Sequence, residues 1–250
     1  MDATTRTRLD RLLVATGRYA TRSRAADAIR RGCVRVNGVA ASQPSRPVSP
    51  ADAIDIDDAA ARYVSRAALK LRAGLAATGF DPSGRVALDL GASTGGFTQV
   101  LLEAGARRVI AVDVGHDQMD VAVANDPRVN RFDGVNARDL TADIVGTEPI
   151  GFIASDMSFI SLKLALPKAL ELAARGALGI FLIKPQFEVG RGKLGKGGIV
   201  RDTALGAKVA REVAEWIGRQ PGWRLTHFLP SPVEGADGNR EYLAAGVKDV

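Results

Sequence analysis

The sequence predicts an α/β protein, a mainly parallel sheet covered by helices on both faces and preceded by a small α+β domain. Three observations carry that expectation. From residue 86 onward, apolar runs of strand length alternate with amphipathic stretches, the pattern of consecutive βα units. The first of these runs passes straight into a glycine-rich turn and then a helix. The charge is also segregated: the segment from Arg6 to Pro47 holds ten arginines, no lysine and two acids, Asp10 and Asp27, so it carries +8 against a net +6 for the chain and leaves the remainder near −2.

At 250 residues and 46% apolar composition the chain has ample material for a packed core and is too apolar to be disordered. No stretch approaches the roughly 18 uninterrupted apolar residues of a membrane span, and the opening MDATTRTRLDRL lacks the apolar centre of a secretory signal. A cytoplasmic location is therefore expected. The single cysteine, Cys33, excludes an internal disulfide, and His116 and His227 lie too far apart for the usual metal-ligand spacings, so no metal site is expected.

In the basic segment, Leu9, Leu12 and Leu13 recur at helical spacing up to Gly17, and Ser23 can cap a second helix carrying Ala25, Ala26 and Ile29. The run Val34 to Val39 alternates around Asn37-Gly38, a strong hairpin signal because both residues tolerate positive φ. A turn-rich stretch follows, and DAIDID reads as a closing strand. On these residues, RLDRLLVATGRYATRSRAADAIRRGCVRVNG and the DAIDI strand, the segment from about 7 to 57 resembles the S4-type RNA-binding domain. That resemblance implies contact with folded RNA through arginines such as Arg6, Arg18, Arg22, Arg24, Arg30, Arg31 and Arg35, mostly at the phosphate backbone. For any one of them, a solvated basic face is the plainer reading.

A boundary is expected at 58–64, dividing residues 1–62 from 63–250. Ser65 then opens a helix that stops at Gly79. Strands are expected at 86–90, 108–114, 151–156 and 177–184, with two more near 223–229 and 241–247. The first leads into LDLGASTGGFTQVLLEAGA, which directs backbone N–H groups and a helix N-terminus toward the carboxyl edge of the sheet. A dinucleotide fingerprint needs glycine where Ser93 stands, so NAD is disfavoured. The next strand ends in Asp113, which suits a ribose diol.

The run from Asp89 through Gly91, Ser93, Thr94, Gly95, Gly96 and Phe97 resembles the first motif of class I, Rossmann-like methyltransferases that use S-adenosylmethionine. Glycines alone would make a tight βα turn, but such a turn gives no reason for the acid at Asp89 or at Asp113. A second loop, GRGKLGKG at 190–197, has phosphate-loop spacing but places Gly197 where the magnesium-binding hydroxyl belongs. It reads equally well as a flexible basic cover over substrate or as plain linker.

Four ionisable residues stand where packing would favour something else: Lys70 in AALKL, Asp156 ending IASD, Lys184 ending IFLIK and Glu241 opening EYLAAG. Each has a dull explanation, such as a snorkelling lysine or a helix cap, but two of them end strands near the glycine turn. The segments SRAALKL, SDMSFISL, IKPQFEVG and NREYL resemble those carrying the Lys-Asp-Lys-Glu tetrad of FtsJ-type ribose 2′-O-methyltransferases. With the S4-like segment in front, residues 7 to 247 resemble the TlyA (haemolysin A) family of ribosomal RNA methyltransferases. The resemblance implies Lys70, Asp156, Lys184 and Glu241 as the tetrad, Asn136 as an adenine contact, S-adenosylmethionine as cofactor and ribosomal RNA or ribosomal subunits as partner, with cytidine as the nucleotide.

A ribose hydroxyl is a poor nucleophile, and a lysine near its reference pKa of about 10.4 is protonated at neutral pH. Two roles for Lys184 therefore stay open: a neutral amine taking the proton, or an ammonium stabilising the alkoxide. Three rival readings are an amino methyltransferase, faintly suggested by Asp156-Met157-Ser158-Phe159 without the usual prolines, a non-catalytic ribosome-assembly factor with a vestigial cofactor fold, and a membrane-damaging haemolysin.

Overall fold

The computed structural model describes residues 6–235 and 238–249. Its internal contacts divide the chain into two compact units, Met1–Arg62 and Tyr63–Val250.

The first unit contains β1 (Thr7–Arg8), α1 (Leu9–Ala15), α2 (Arg22–Arg30), β2 (Val34–Val36), β3 (Val39–Ala40), β4 (Pro47–Val48) and β5 (Ile54–Ile56). Leu9, Leu13, Ala25 and Ile29 from the helices close over Val34, Val36 and Val48 from the strands. Asn37 and Gly38 take positive φ, 52° and 78°, making the tight hairpin between β2 and β3, and β5 pairs antiparallel with the other edge of β2. The cap of α2 differs from expectation. Thr21, not Ser23, accepts the Arg24 amide at 3.3 Å from an extended backbone, so the helix starts two residues earlier. Both are hydroxyl residues, and only the chain's direction on entry distinguishes them.

In the second unit, α3 (Ala68–Thr78), β6 (Val86–Leu90), α4 (Gly96–Glu103), β7 (Arg108–Asp113), α5 (Val121–Ala124), β8 (Val129–Asp133), α6 (Ala142–Val145) and β9 (Ile150–Ser155) come first. They are followed by α7 (Leu162–Ala165), α8 (Pro167–Leu172), β10 (Ala173–Ile183), α9 (Thr203–Gly218), β11 (Trp223–Pro230) and β12 (Tyr242–Lys248). The strands form one sheet in the order β11-β12-β10-β9-β6-β7-β8, parallel from β10 through β8, with β12 antiparallel to both of its neighbours. Side chains alternate between two cores. Leu88 and Leu90 meet Leu162, Leu166, Val213 and Ile217 on one face, whereas Ala87 meets Ala68, Leu71, Phe97 and Leu101 on the other.

Two strands depart from the sequence reading. β8 was not expected, because Val-Asn-Arg-Phe-Asp alternates with polar residues and sits half-covered at the sheet edge. β10 begins at Ala173 and not at 177, and its register with β9 breaks between Ala173 and Leu178.

From β6 the chain builds outward through β7 and β8, then returns to β9 on the other side of β6. The crevice at a parallel sheet's carboxyl edge opens at such a reversal, here between the ends of β6 and β9. A ligand is expected to enter the sheet there.

Candidate active site

Gly91 follows β6 and Asp156 follows β9, so the two face each other across that crevice. The Asp156 amide donates to Leu90 O at 2.9 Å, which closes the two strand ends together. A Cβ on Gly91 would lie 2.7 Å from the Asp156 carbonyl oxygen, and Gly91 has φ 79°, so glycine is required there on both counts. The turn continues through Ser93, itself at φ 44°, to Gly95, which caps α4. Asp113 at the end of β7 secures it: one carboxylate oxygen accepts the Ser93 amide at 2.9 Å, the other the Gly115 amide at 2.7 Å. Each oxygen keeps a further lone pair for a ligand hydroxyl.

Between these elements lies a cavity of about 340 Å³, bounded by Gly91, Ser93, Asp113 and Gln118 on one side and by Val112, Val135, Ala137 and Met157 on the other. A carboxylate with spare lone pairs, the polar side chains of Ser93 and Gln118 and an apolar slot suit a nucleoside with a polar tail, and the volume is within the range of small-molecule sites. The residues fit S-adenosylmethionine. Phe97 is in the core beneath the loop, and Thr94 borders a smaller cleft beside it.

Two expected cofactor residues have other positions. Asp89 is fully buried under the loop, where Thr98 Oγ1 donates to one of its oxygens at 2.6 Å and the other has no side-chain partner among the described residues; burial pushes its carboxyl up to about 7. It braces the turn from below. Asn136 lies between Val135 and Ala137, which do line the cavity, but its own side-chain oxygen accepts the Arg138 amide at 3.1 Å.

The four ionisable residues form two ion pairs. Lys184 Nζ lies 2.7 Å from Asp156 Oδ1 and donates to Ser158 Oγ at 2.8 Å; the contact to Asp156 is a charge pair without an aligned hydrogen bond. Lys70 Nζ donates to Glu241 Oε2 at 2.5 Å with both side chains buried. The strand register explains how residues so distant in sequence meet. Ile183 pairs with Tyr242 across β10 and β12, so Lys184 and Glu241, one step beyond, flank the same end. Both line an open groove of about 800 Å³ with Ser158, Phe159 and Phe187. Lys184 also borders the smaller cleft formed by Gly91 and the 93–97 turn.

Sequence reasoning named Phe159 only through the rival amino-methyltransferase motif and did not single out Phe187, Glu188 or Asn239. Phe159 is 91% exposed, holds φ 65° and lies 5.2 Å from the Phe187 ring. A fully exposed aromatic in a left-handed conformation is a strained arrangement that packing does not explain. Glu188 joins the two loops that carry these rings, accepting the Ser161 hydroxyl at 2.6 Å and the Leu162 amide at 2.8 Å; burial raises its carboxyl. The 190–197 loop contributes Gly190, Leu194 and Gly197 to the groove wall. Buried Asn239 holds it, accepting the Val200 amide at 3.0 Å and donating to Gly198 O at 3.2 Å. The motif segments SDMSFISL, IKPQFEVG and NREYL contain Phe159, Phe187, Glu188 and Asn239, but only the fold shows that they converge.

In the first unit the seven arginines divide. Arg6, Arg18, Arg22, Arg30 and Arg35 are exposed. Arg31 is an internal brace: both terminal nitrogens donate to Asp58 at 2.9 Å and its Nε to Asp27 at 2.8 Å. Arg24 reaches the Ala61 carbonyl at 3.3 Å. Arg22 joins Arg8 on buried Asp10, and the Arg8 guanidinium holds that carboxyl well below the usual range.

Comparison with known proteins follows the same division. Residues 63–248 match the FtsJ-like methyltransferase family, and residues 7–54 match the S4 domain. The chain is 42% identical over 239 residues to the 16S/23S rRNA (cytidine-2′-O)-methyltransferase TlyA of Mycobacterium tuberculosis, covering 95% of this chain and 88% of that one. It is 39% identical to Hemolysin A of Brachyspira hyodysenteriae, covering 95% and 98%. A Streptococcus thermophilus structure provisionally named a hemolysin superposes with a TM-score of 0.75 at 34% identity, covering 98% and 90%. Among the described residues no helix is long and apolar enough to cross a membrane. An S4 domain followed by an FtsJ-like methyltransferase sheet, with relatives of this identity along nearly the whole chain, makes this protein a member of the TlyA (haemolysin A) family.

Proposed function

We propose that this chain methylates a ribose 2′-hydroxyl of ribosomal RNA, at a cytidine as in the M. tuberculosis relative's name, with Lys70, Asp156, Lys184 and Glu241 as its reacting centre. The observation that carries this reading is the position of Lys184, whose side chain borders both the cleft beside the glycine turn and the open groove behind Phe159. S-adenosylmethionine, bound by the 91–96 turn and Asp113, would supply an electrophilic methyl carbon whose bonding electrons return to sulfur. The chain's own residues then have defined tasks. Lys184 receives the hydroxyl proton when neutral, or holds the developing alkoxide when charged. Asp156 pairs with Lys184, and Glu241, held by buried Lys70, contributes to the groove wall. Holding oxygen and carbon together supplies a large share of the acceleration. Phe159, exposed beside Phe187, is placed to stack on an unpaired base. The exposed arginines of the first unit dock the protein on RNA backbone.

Purified protein, ribosomal subunits and isotopically labelled cofactor test the reading. Ribose methylation, mapped as resistance of one linkage to alkali, is expected, with loss of activity in Lys184→Ala while calorimetric cofactor binding stays within about threefold. An active Lys184→Ala, or base methylation instead, would overturn it. Methylation lost in Phe159→Ala yet retained without Lys184 favours an amino methyltransferase. No heat with the cofactor favours a non-catalytic assembly factor.

A further inference from the structure

We infer that Ser158 is a positioning residue for the reaction: its hydroxyl oxygen, fixed by the turn into Phe159, aims the Lys184 amine at the incoming ribose oxygen. The inference rests on the ribose-methylation reading and adds to it a residue outside the four charged ones.

Lysine ends in a compact amine on a flexible four-carbon stem, so one charge partner fixes its distance but not its direction. Asp156 is such a partner, at 2.7 Å and without hydrogen-bond alignment. Ser158 supplies the second anchor by accepting a hydrogen bond from Nζ at 2.8 Å. With Nζ held at its distance by Asp156 and in its direction by Ser158, its remaining face is left for substrate. A neutral hydroxyl does this without adding a second negative charge beside Asp156, which would hold the lysine more firmly in its charged form.

The location supports the same role. Ser158 borders the cofactor cavity with Asp113, the small cleft with Gly91 and the open groove with Phe187. That is where a methyl carbon, a lysine and a ribose would converge. Ser158 is exposed and has no packing function to explain it. Its neighbour Phe159, at φ 65°, turns the chain sharply just after it, so strain in the backbone is spent at the point where the hydroxyl is presented.

Steady-state kinetics on ribosomal subunits with Ser158→Ala and Ser158→Thr test the inference. Loss of aim by a fraction of an ångström to an ångström costs on the order of 10²-fold in rate. The expected result for Ser158→Ala is therefore a kcat lowered roughly 10- to 100-fold, with KM for RNA, cofactor affinity and melting temperature near wild type. Ser158→Thr, which keeps the hydroxyl, should recover most of kcat. Wild-type kcat in Ser158→Ala, a raised KM with unchanged kcat, or a threonine variant as slow as alanine would each overturn it. Failure of the underlying reading looks different: in that case the wild-type protein makes no ribose methyl group, or Lys184→Ala remains active.

Discussion

Replacing Glu241 with alanine leaves the Lys70 ammonium buried without its partner. Both side chains are almost fully covered, 7% and 2% exposed, and they meet in a direct charge-assisted hydrogen bond, so water cannot screen the change. Removing one member of a buried pair costs about 3–5 kcal/mol. At roughly 2–4 °C per kcal/mol for a domain of this size, the second unit should melt about 6–20 °C lower. Urea and thermal unfolding, followed by tryptophan fluorescence, measure this directly because both tryptophans, Trp216 and Trp223, belong to that unit. The informative partner is Lys70→Met combined with Glu241→Leu, which removes both charges and keeps the volume; it should recover most of the stability. That double variant should nevertheless be inactive on RNA while still binding the cofactor. A single Glu241→Ala costing under about 1 kcal/mol, the range of an exposed pair, would refute the claim that the pair is desolvated. A stable and active double variant would refute its part in the chemistry.

Asp89 ties stability to pH. Its carboxyl is raised to about 7, so the folded state holds a proton that the unfolded state releases, and its contribution is present at low pH and lost as pH rises from about 4 to 7. Asp89→Asn should lack that decline, seen as a difference from wild type that narrows or reverses toward pH 8 in urea unfolding. Asn239→Asp replaces a donor with an acceptor facing Gly198 O, so amide exchange should rise at 194–201 and KM for RNA should increase several-fold with cofactor affinity unchanged. Reversing the charge of Arg18, Arg30 and Arg35 together should flatten the salt dependence of RNA binding, by about 0.7–0.9 in log–log slope for each phosphate that is no longer neutralised. Arg31→Ala should instead lower the first unit's melting temperature, because that side chain joins Asp27 and Asp58.

Much of the fold could be read from local signals. Asn37-Gly38 has few backbone choices, and the hairpin forms where expected. Gly79 ends α3 in a left-handed conformation, and the run Val86–Leu90 is buried at every position, as a central parallel strand requires. Local signals failed where two residues could do the same task or where burial is partial. Thr21 displaced Ser23 as a cap, and β8 carries polar residues because only part of it faces a core. The candidate site was legible as residue types and strand ends, but Asp89 and Asn136 show the limit. Both belong to ligand-loop segments, yet one lies beneath the turn and the other caps its own backbone.

The sequence by itself determined most of the sheet's strands, where the glycine turn lies and which unit is basic, because these depend on backbone preference and on charge counted along the chain. Tertiary structure alone decided that Lys184 pairs with Asp156 and Lys70 with Glu241, that Arg31 is an internal brace, and that Ser158 stands beside the Lys184 amine. The physical reason is the sheet order. Placing β9 beside β6 and β12 between β10 and β11 brings together strand ends and helix residues separated by up to 171 positions, and no local preference records which of them will meet.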